Sequence, residues 1–305
     1  MKQPTFDPGL GTSYSRRTKR TVNKDGTFNV IRKGSDFTGR NIYQFLVTVS
    51  WPVFFTCVFT GYFLTNLFFA SIYTLVGVEN INGALANSVE IPFWSAFFFS
   101  VQTLTTVGYG GMHPLGILTN SIASAEAMIG LMGIAVATGI LYGRFSRPDI
   151  KIAFSRNILI SKVNGQDALV FRLANQRSNP LIDLEVSVLC VLTDVTDFSR
   201  QYKSLKLQVS KIDYLPLNWT LVHFIDENSP IFGMTKEDLN RMETEFIINF
   251  KAFDETFSQE VKLRYSYDYH ELLWNKKFAK VFYTDDEGNI IFELEKMSVT
   301  EDLPS

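Results

Sequence analysis

Between Asn41 and Val78 no residue is charged, and apolar side chains fill most of the positions. A helix needs about 20 such residues to cross a hydrocarbon layer, so a run this long predicts two elements. Ile42, Tyr43, Phe45, Leu46 and Val49 fit one face of a short helix over residues 38–50, with Thr38, Gln44 and Thr48 on a wetter side and Trp51 as an interfacial anchor. Pro52 suits the first turn of a new helix, where its missing N–H costs nothing. That helix, predicted over residues 52–74, would be roughly 35 Å long and would span. Residues 77–91 form a polar connection. Pro92 then opens an aromatic stretch, residues 92–104, that predicts a helix too short to cross. Such a re-entrant segment is tolerated at membrane depth only where protein buries it or it lines water. A second span is predicted over residues 119–146, with Glu126 its one charge before Arg144. Gly130, Gly133 and Gly139 make one side of it small, which permits either close helix contact or bending.

Past about Ile150 the period changes to short alternating runs: residues 169–173, 185–192, 205–209, 220–225, 245–253, 261–267, 280–283 and 290–294. Asn164-Gly165, Ser178-Asn179-Pro180, Ser229-Pro230 and residues 285–289 supply turns between them. Many short strands separated in this way predict an antiparallel sandwich. The chain therefore divides into a basic segment over residues 1–36, a membrane domain over 37–147 and a β domain over 148–305.

The 305 residues are 20% charged and 14% aromatic, with 27 Phe, a bias that fits a chain partly in lipid. The first forty residues hold nine Lys or Arg against three Asp and lack the apolar core of a signal peptide. This run, which includes Arg16 and Arg17, reads either as a solvated tail or as a segment held near anionic headgroups. Arg144, Arg147, Lys151 and Arg156 follow the second span. Basic residues thus flank the outer ends of both spans, and the positive-inside rule predicts two cytoplasmic termini. Cys57 and Cys190 each sit in an apolar run and read as small buried hydrophobes rather than a disulfide pair.

Thr105-Thr106-Val107-Gly108-Tyr109-Gly110 follows the short helix directly. Glycines on both sides of an aromatic take backbone angles that other residues resist. The carbonyls of Thr106, Val107, Gly108 and Tyr109 can then face one side and replace the water around a dehydrated cation, the known construction of K⁺ filters. The C-terminal end of the short helix carries partial negative charge, favourable to a cation below the filter.

With Lys24-Asp25-Gly26-Thr27-Phe28-Asn29-Val30, Ser50-Trp51-Pro52, residues 97–103, Arg144-Phe145-Ser146-Arg147-Pro148, Phe171-Arg172-Leu173-Ala174-Asn175, residues 219–223 and Ser229-Pro230-Ile231-Phe232-Gly233, the chain resembles the inward-rectifier potassium channels, most closely their prokaryotic branch. The match covers nearly the whole chain. It implies a homotetramer in the cell membrane, a two-span pore domain with a re-entrant pore helix and filter, a slide helix near residues 38–50, and a cytoplasmic immunoglobulin-like β-sandwich. It also implies K⁺ as permeant ion, bound by Thr106, Val107, Gly108, Tyr109 and Gly110, with no cofactor and no nucleic-acid partner. Tyr142 aligns with an aromatic gate at the bundle crossing, although a tyrosine near a span's end is also an ordinary interfacial residue. Arg147 and Lys151 align with the region that meets anionic lipid or phosphoinositide, and serve equally as positive-inside charge.

Two positions depart from the animal relatives. The Glu–Arg pair that braces their filter is replaced by Gln102 and Met112, and Glu126 offers either part of that support or a hydrogen-bonded structural carboxyl. The pore-facing acid of strong rectifiers is Ile134. The competing readings are a two-span channel with an unrelated regulatory domain, and a membrane-anchored receptor or enzyme. Against an enzyme, His270-Glu271-Leu272-Leu273-Trp274 lacks the second histidine of a zinc helix and no phosphate loop occurs.

Overall fold

Proline and glycine set the limits of the membrane helices. In the computed structural model, which describes residues 6–16, 20–31, 33, 42–84, 92–148 and 150–303, helix α1 spans Ile42–Thr48 and helix α2 spans Trp51–Val76. Pro52 lies in the first turn of α2, and the helix stops at Gly77, whose φ of 105° leaves the helical region. Helix α3 covers Pro92–Leu104 and helix α4 covers Gly116–Phe145. The second span thus begins three residues earlier than predicted, and Asn120 in its first turns donates to the Pro114 and Gly116 carbonyls. Only α2 and α4, of 26 and 30 residues, are long and apolar enough to cross a membrane among the described residues. Hydroxyls on these helices fold back onto their own backbone, Thr56 to Pro52, Thr65 to Gly61, Ser71 to Leu67 and Ser124 to Asn120. Lipid offers no partner for them, so the i−4 carbonyl is the available acceptor. Two short strands, β1 (Ile81–Asn82) and β2 (His113–Pro114), pair beyond the filter. Residues 38–41 of the expected slide helix lie outside the described residues.

The second unit is the β domain with the N-terminal segment. Its strands are β3 (Ile152–Phe154), β4 (Ile158–Val163), β5 (Gln166–Asn175), β6 (Leu181–Thr193), β7 (Arg200–Leu205), β8 (Lys211–Tyr214), β9 (Asn218–Phe224), β10 (Glu245–Asp254), β11 (Gln259–Asp268) and β12 (Leu272–Trp274). One sheet runs β11-β10-β6-β7, with β8 also on β6, and the other runs β12-β4-β5-β3, with β9 also on β5. All pairs are antiparallel except β12 with β4. Alternate residues of β6 (Leu184, Val186, Val188, Cys190) and β10 (Phe246, Ile248, Phe250) meet Phe171, Leu173 and Leu221 in the core between the sheets. Burial there pushes the Cys190 thiol up to about 12, so it packs as a hydrophobe. The small helix α5 (Lys236–Arg241) follows the SPIFG turn. Two further antiparallel pairs follow, β13 (Lys276–Phe278) with β16 (Thr300–Asp302) and, between them in sequence, β14 (Phe282–Thr284) with β15 (Ile290–Phe292).

Two expectations need correction. Of the strand expected over residues 205–209, residues 206–209 are not strand: β7 ends at Leu205, and the stretch beyond it bonds both sheets, Gln208 N–H to the Val222 carbonyl and Val186 N–H to the Ser210 carbonyl. The N-terminal segment is not a free tail either. Val22 is completely buried against Val191, Tyr202 and Ile247 on the outer face of the first sheet. The buried Glu245 carboxylate accepts the N–H groups of Thr21 (2.8 Å) and Val22 (3.1 Å). Arg20 pairs with Asp268 and Glu271, and Lys24 pairs with Glu271.

Candidate ion-conduction site

The loop expected to be the filter grows out of the end of α3. Thr105, Thr106 and Val107 donate their N–H groups to the carbonyls of Val101, Thr103 and Gln102, which fixes where the loop leaves the helix. Beyond that point every second residue is left-handed: Thr106 at φ 57°, Gly108 at 53° and Gly110 at 83°. Alternating the hand of successive residues turns successive carbonyls toward one side. Within the single chain a Cβ at position 108 or 110 would meet nothing within 4 Å. The positive φ at both already favours glycine, and Thr106 holds the same region at a cost of about 1 kcal/mol. Residues 106–110 are exposed in the single chain.

Behind α3 lies a buried polar cluster. Glu126 has no exposed surface; it accepts a hydrogen bond from the Tyr73 hydroxyl at 2.6 Å and another from the Ser100 hydroxyl. Ser100 also lies 3.1 Å from the Asn66 side-chain oxygen. Glu126 therefore joins α2, α3 and α4 at the middle of the short helix, and its described hydrogen bonds go to Tyr73 and Ser100 rather than to filter residues. Four residues further along α4, Gly130 packs so closely on the Leu104 backbone that a side chain would overlap the carbonyl. Ile134, one turn on, is half exposed and lines an apolar cavity of about 490 Å³ with Leu104, Thr105, Gly133 and Ala137.

At the far end of α4, Tyr142 is 74% exposed in the single chain. Beside it is a residue whose role the sequence did not disclose. The Arg144 guanidinium donates to the Leu46 carbonyl (2.6 Å) and the Val49 carbonyl (2.7 Å) at the end of α1, and lies over the Trp51 and Phe54 rings. Those carbonyls lack helical partners, so a forked cation serves as their cap. Only its basic type, in the last turn of α4, hinted at this. Arg147, Lys151 and Arg16 are exposed, and Arg17 lies outside the described residues.

The shared motifs of the β domain prove to be internal fastenings. Arg172 donates to the Ala279 carbonyl at 2.7 Å and lies over the Phe278 ring, and burial lowers its pKa to about 10. The His223 ring bridges the Lys206 carbonyl and the Ser229 hydroxyl, each at 2.8 Å. His270-Glu271 belongs to a capping box opened by Asp268, not to a metal helix.

Two spanning helices, a short helix between them ending in a Thr-Val-Gly-Tyr-Gly loop, and a β-sandwich after the second span define a two-span pore-loop channel protein. The chain belongs to the inward-rectifier potassium channel family. Residues 152–305 match the family profile described as "Inward rectifier potassium channel C-terminal domain", and residues 42–147 match the one described as "Ion channel". The chain is 37% identical over 291 residues to the inward rectifier potassium channel Kirbac3.1 of Paramagnetospirillum magnetotacticum, covering 94% of this chain and 97% of that one. The family is one of membrane ion channels with K⁺ as permeant ion, not of enzymes, and the sandwich match removes the unrelated-regulatory-domain reading. A solved structure of Pseudomonas fluorescens alkylpurine DNA glycosylase AlkC bound to DNA aligns at 9% identity and a TM-score of 0.19, over 59% of this chain and 49% of that one, and carries no argument.

Proposed function

We propose that four copies of this chain surround a common axis and conduct K⁺ passively across the cell membrane, with the carbonyls of Thr106, Val107, Gly108 and Tyr109 as the ion sites. The observation that carries this is the alternating left-handed backbone at Thr106, Gly108 and Gly110, next to the exposure of the same residues in the single chain. A carbonyl row on one chain cannot surround an ion, and fourfold repetition closes the ring. Both termini lie in the cytoplasm. The N-terminal segment packs on the sandwich, two spans apart in sequence, so the two ends share one face of the membrane. The basic residues beyond each span select the cytoplasmic face.

Tyr142 closes the pore at the inner helix ends, Ile134 lines the cavity without charge, and Glu126 supports the pore helix. Arg147, Lys151 and the Arg16-Arg17 pair meet anionic lipid, each worth roughly 1 kcal/mol near a charged surface, and phosphoinositide lowers activity. The decisive experiment is ion flux through the purified protein in liposomes. K⁺ and Rb⁺ should pass and Na⁺ should be strongly excluded, and Gly108→Ala should degrade that selectivity. Equal permeability to Na⁺ and K⁺ in the unmodified protein would end the proposal. For the lipid sites, Arg147→Gln with Lys151→Gln should abolish the phosphoinositide response of that flux; an unchanged response assigns the lipid elsewhere.

A further inference from the structure

Past Val107 the filter loop makes no backbone hydrogen bond to a described residue of its own chain until it reaches β2. Within one chain its far end is therefore placed by whatever holds residues 111–115. That is a small clasp built from the start of the α2–α3 connection. Leu115 N–H donates to the Asn80 carbonyl at 2.8 Å, and Ile81-Asn82 pairs with His113-Pro114. The clasp is rooted in the helices around it. The Asn80 side-chain amide donates to the Val76 and Gly77 carbonyls at the end of α2. Ile81 and Ala84 are buried in one cluster with Tyr73, Ala96 and Phe99. The Ser95 hydroxyl of α3 donates to the Ala84 carbonyl at 2.8 Å. The strand that grips the chain leaving the filter is thus fastened to the same helix whose other end starts the filter.

Gly83 touches the loop itself. A Cβ at position 83 would overlap the Gly111 carbonyl oxygen and lie 3.2 Å from the carbonyl carbon and 3.7 Å from the Met112 Cα. All three atoms are backbone, so no side-chain rotation relieves the overlap. Gly111 adjoins Gly110, the last residue of the filter. Two properties therefore call for glycine at position 83: the left-handed φ of 79° and the approach to Gly111. Substitution separates them, because asparagine enters the left-handed region more readily than most residues yet still carries a Cβ. Gly116, just past the clasp, has the first property without the second: its φ is 72°, and a Cβ there would meet nothing within 4 Å.

We infer that Gly83 is a positioning residue for K⁺ selection, its bare Cα setting the place of Gly111 and, through it, of the last filter carbonyls. The inference rests on reading residues 105–110 as the K⁺ filter. A side chain at position 83 must drive the Gly111 backbone away by more than about 1 Å to regain ordinary contact. Displacements of about 1 Å in a preorganised site cost up to about a hundredfold. The damage falls on discrimination between ions, because the roots of the clasp keep their own contacts.

The test is flux through the full-length protein in liposomes, reading the Rb⁺-over-Na⁺ permeability ratio rather than total flux, since a misfolded fraction lowers both alike. Gly83→Asn should lower the ratio about tenfold or more, and Gly116→Asn should keep the parent's ratio. A parental ratio in Gly83→Asn overturns the inference, and so does an equal fall in Gly116→Asn, which would trace the effect to the backbone angle alone. Should either variant form no channels, Ser95→Ala decides. It frees the Ala84 carbonyl without adding bulk, and loss of one such bond should lower the ratio about two- to fivefold; an unchanged ratio is equally fatal. An unmodified protein that passes Rb⁺ and Na⁺ alike would instead refute the filter reading beneath the inference.

Discussion

Substituting Gly130 by alanine tests whether the small side of α4 serves packing or bending. A Cβ on Gly130 would lie 2.9 Å from the Leu104 carbonyl carbon and 3.1 Å from its Cα, and closer still to the oxygen. Ordinary contacts are about 3.5–4.0 Å, so relieving the overlap with the carbonyl oxygen requires α3 and α4 to part by more than about 1 Å. The obstacle is backbone, which cannot rotate away. Overpacking of this kind costs up to about 3 kcal/mol, against about 1 kcal/mol gained from replacing a helical glycine. The net loss is about 2 kcal/mol per chain. Because Leu104 immediately precedes the filter, the same displacement should disturb ion selection. Gly133 and Gly139 are the internal controls, since a Cβ at either meets nothing within 4 Å in the single chain. Thermal unfolding of the detergent-solubilised full-length protein should place Gly130→Ala about 4–8 °C below the parent, with Gly133→Ala and Gly139→Ala within a degree or two. Liposome flux should show a lower K⁺-over-Na⁺ ratio for Gly130→Ala alone. A Gly130→Ala protein as stable and selective as the parent, with function lost at Gly133 or Gly139 instead, would refute the packing argument and favour a hinge.

Glu126→Leu strands the Tyr73 hydroxyl and leaves Ser100 only the Asn66 oxygen, so about 2–4 kcal/mol of stability should be lost, whereas Glu126→Gln keeps an acceptor and should lose under about 1.5 kcal/mol; equal losses in thermal unfolding would contradict this. Adding Tyr73→Phe to Glu126→Leu should recover part of the loss, as a double-mutant cycle would report. Ile134→Asp should strengthen block by cytoplasmic spermine in bilayer recordings, and unchanged block would remove Ile134 from the cavity wall. Burial raises the Glu271 pKa, but Lys24, the Asp268 N–H and Arg20 together hold it below its ordinary 4.5. Its contribution to docking of the N-terminal segment is therefore complete above pH 4.5 and lost as pH falls through the lower folded value. Cleavage of that segment by an acid-active protease should accelerate below this range in the wild type, and Glu271→Gln should be cleaved readily at every pH.

The membrane helices were legible because lipid imposes a simple rule on composition: long charge-free runs, with Pro52 and Pro92 near their starts, leave few alternatives. The glycine spacing at positions 108 and 110 anticipated a left-handed backbone there, and a carboxylate in an apolar helix, Glu126, anticipated a buried hydrogen-bonded group. What escaped were features made by partners far apart in the chain. Arg144 has the same basic type as Arg147, and nothing local distinguishes a guanidinium that caps α1 from one in solvent. Strand β4 buries Ile158, Leu159, Ile160 and Ser161 consecutively, so it lacks the alternation that marks a one-sided strand. Residues 205–209 alternate well, yet their hydrogen bonds divide between two sheets. Val22 sits in a basic, glycine-containing segment whose composition reads as tail, and its burial depends on Val191 and Ile247, the outward residues of β6 and β10.

The docking of that N-terminal segment fixes an order of events during synthesis. Thr21 and Val22 need Glu245, and Arg20 needs Asp268 and Glu271, 248 and 251 residues further on. At about 5–20 residues per second, the segment waits on the order of 12–50 s for its partners, while both spans enter the membrane between them. Until β10 and β11 emerge, Val22 and the outer face it will cover have no use for each other. A chaperone or protease on that side of the membrane therefore meets this stretch without its partners until β10 and β11 have been made, and its burial marks their arrival.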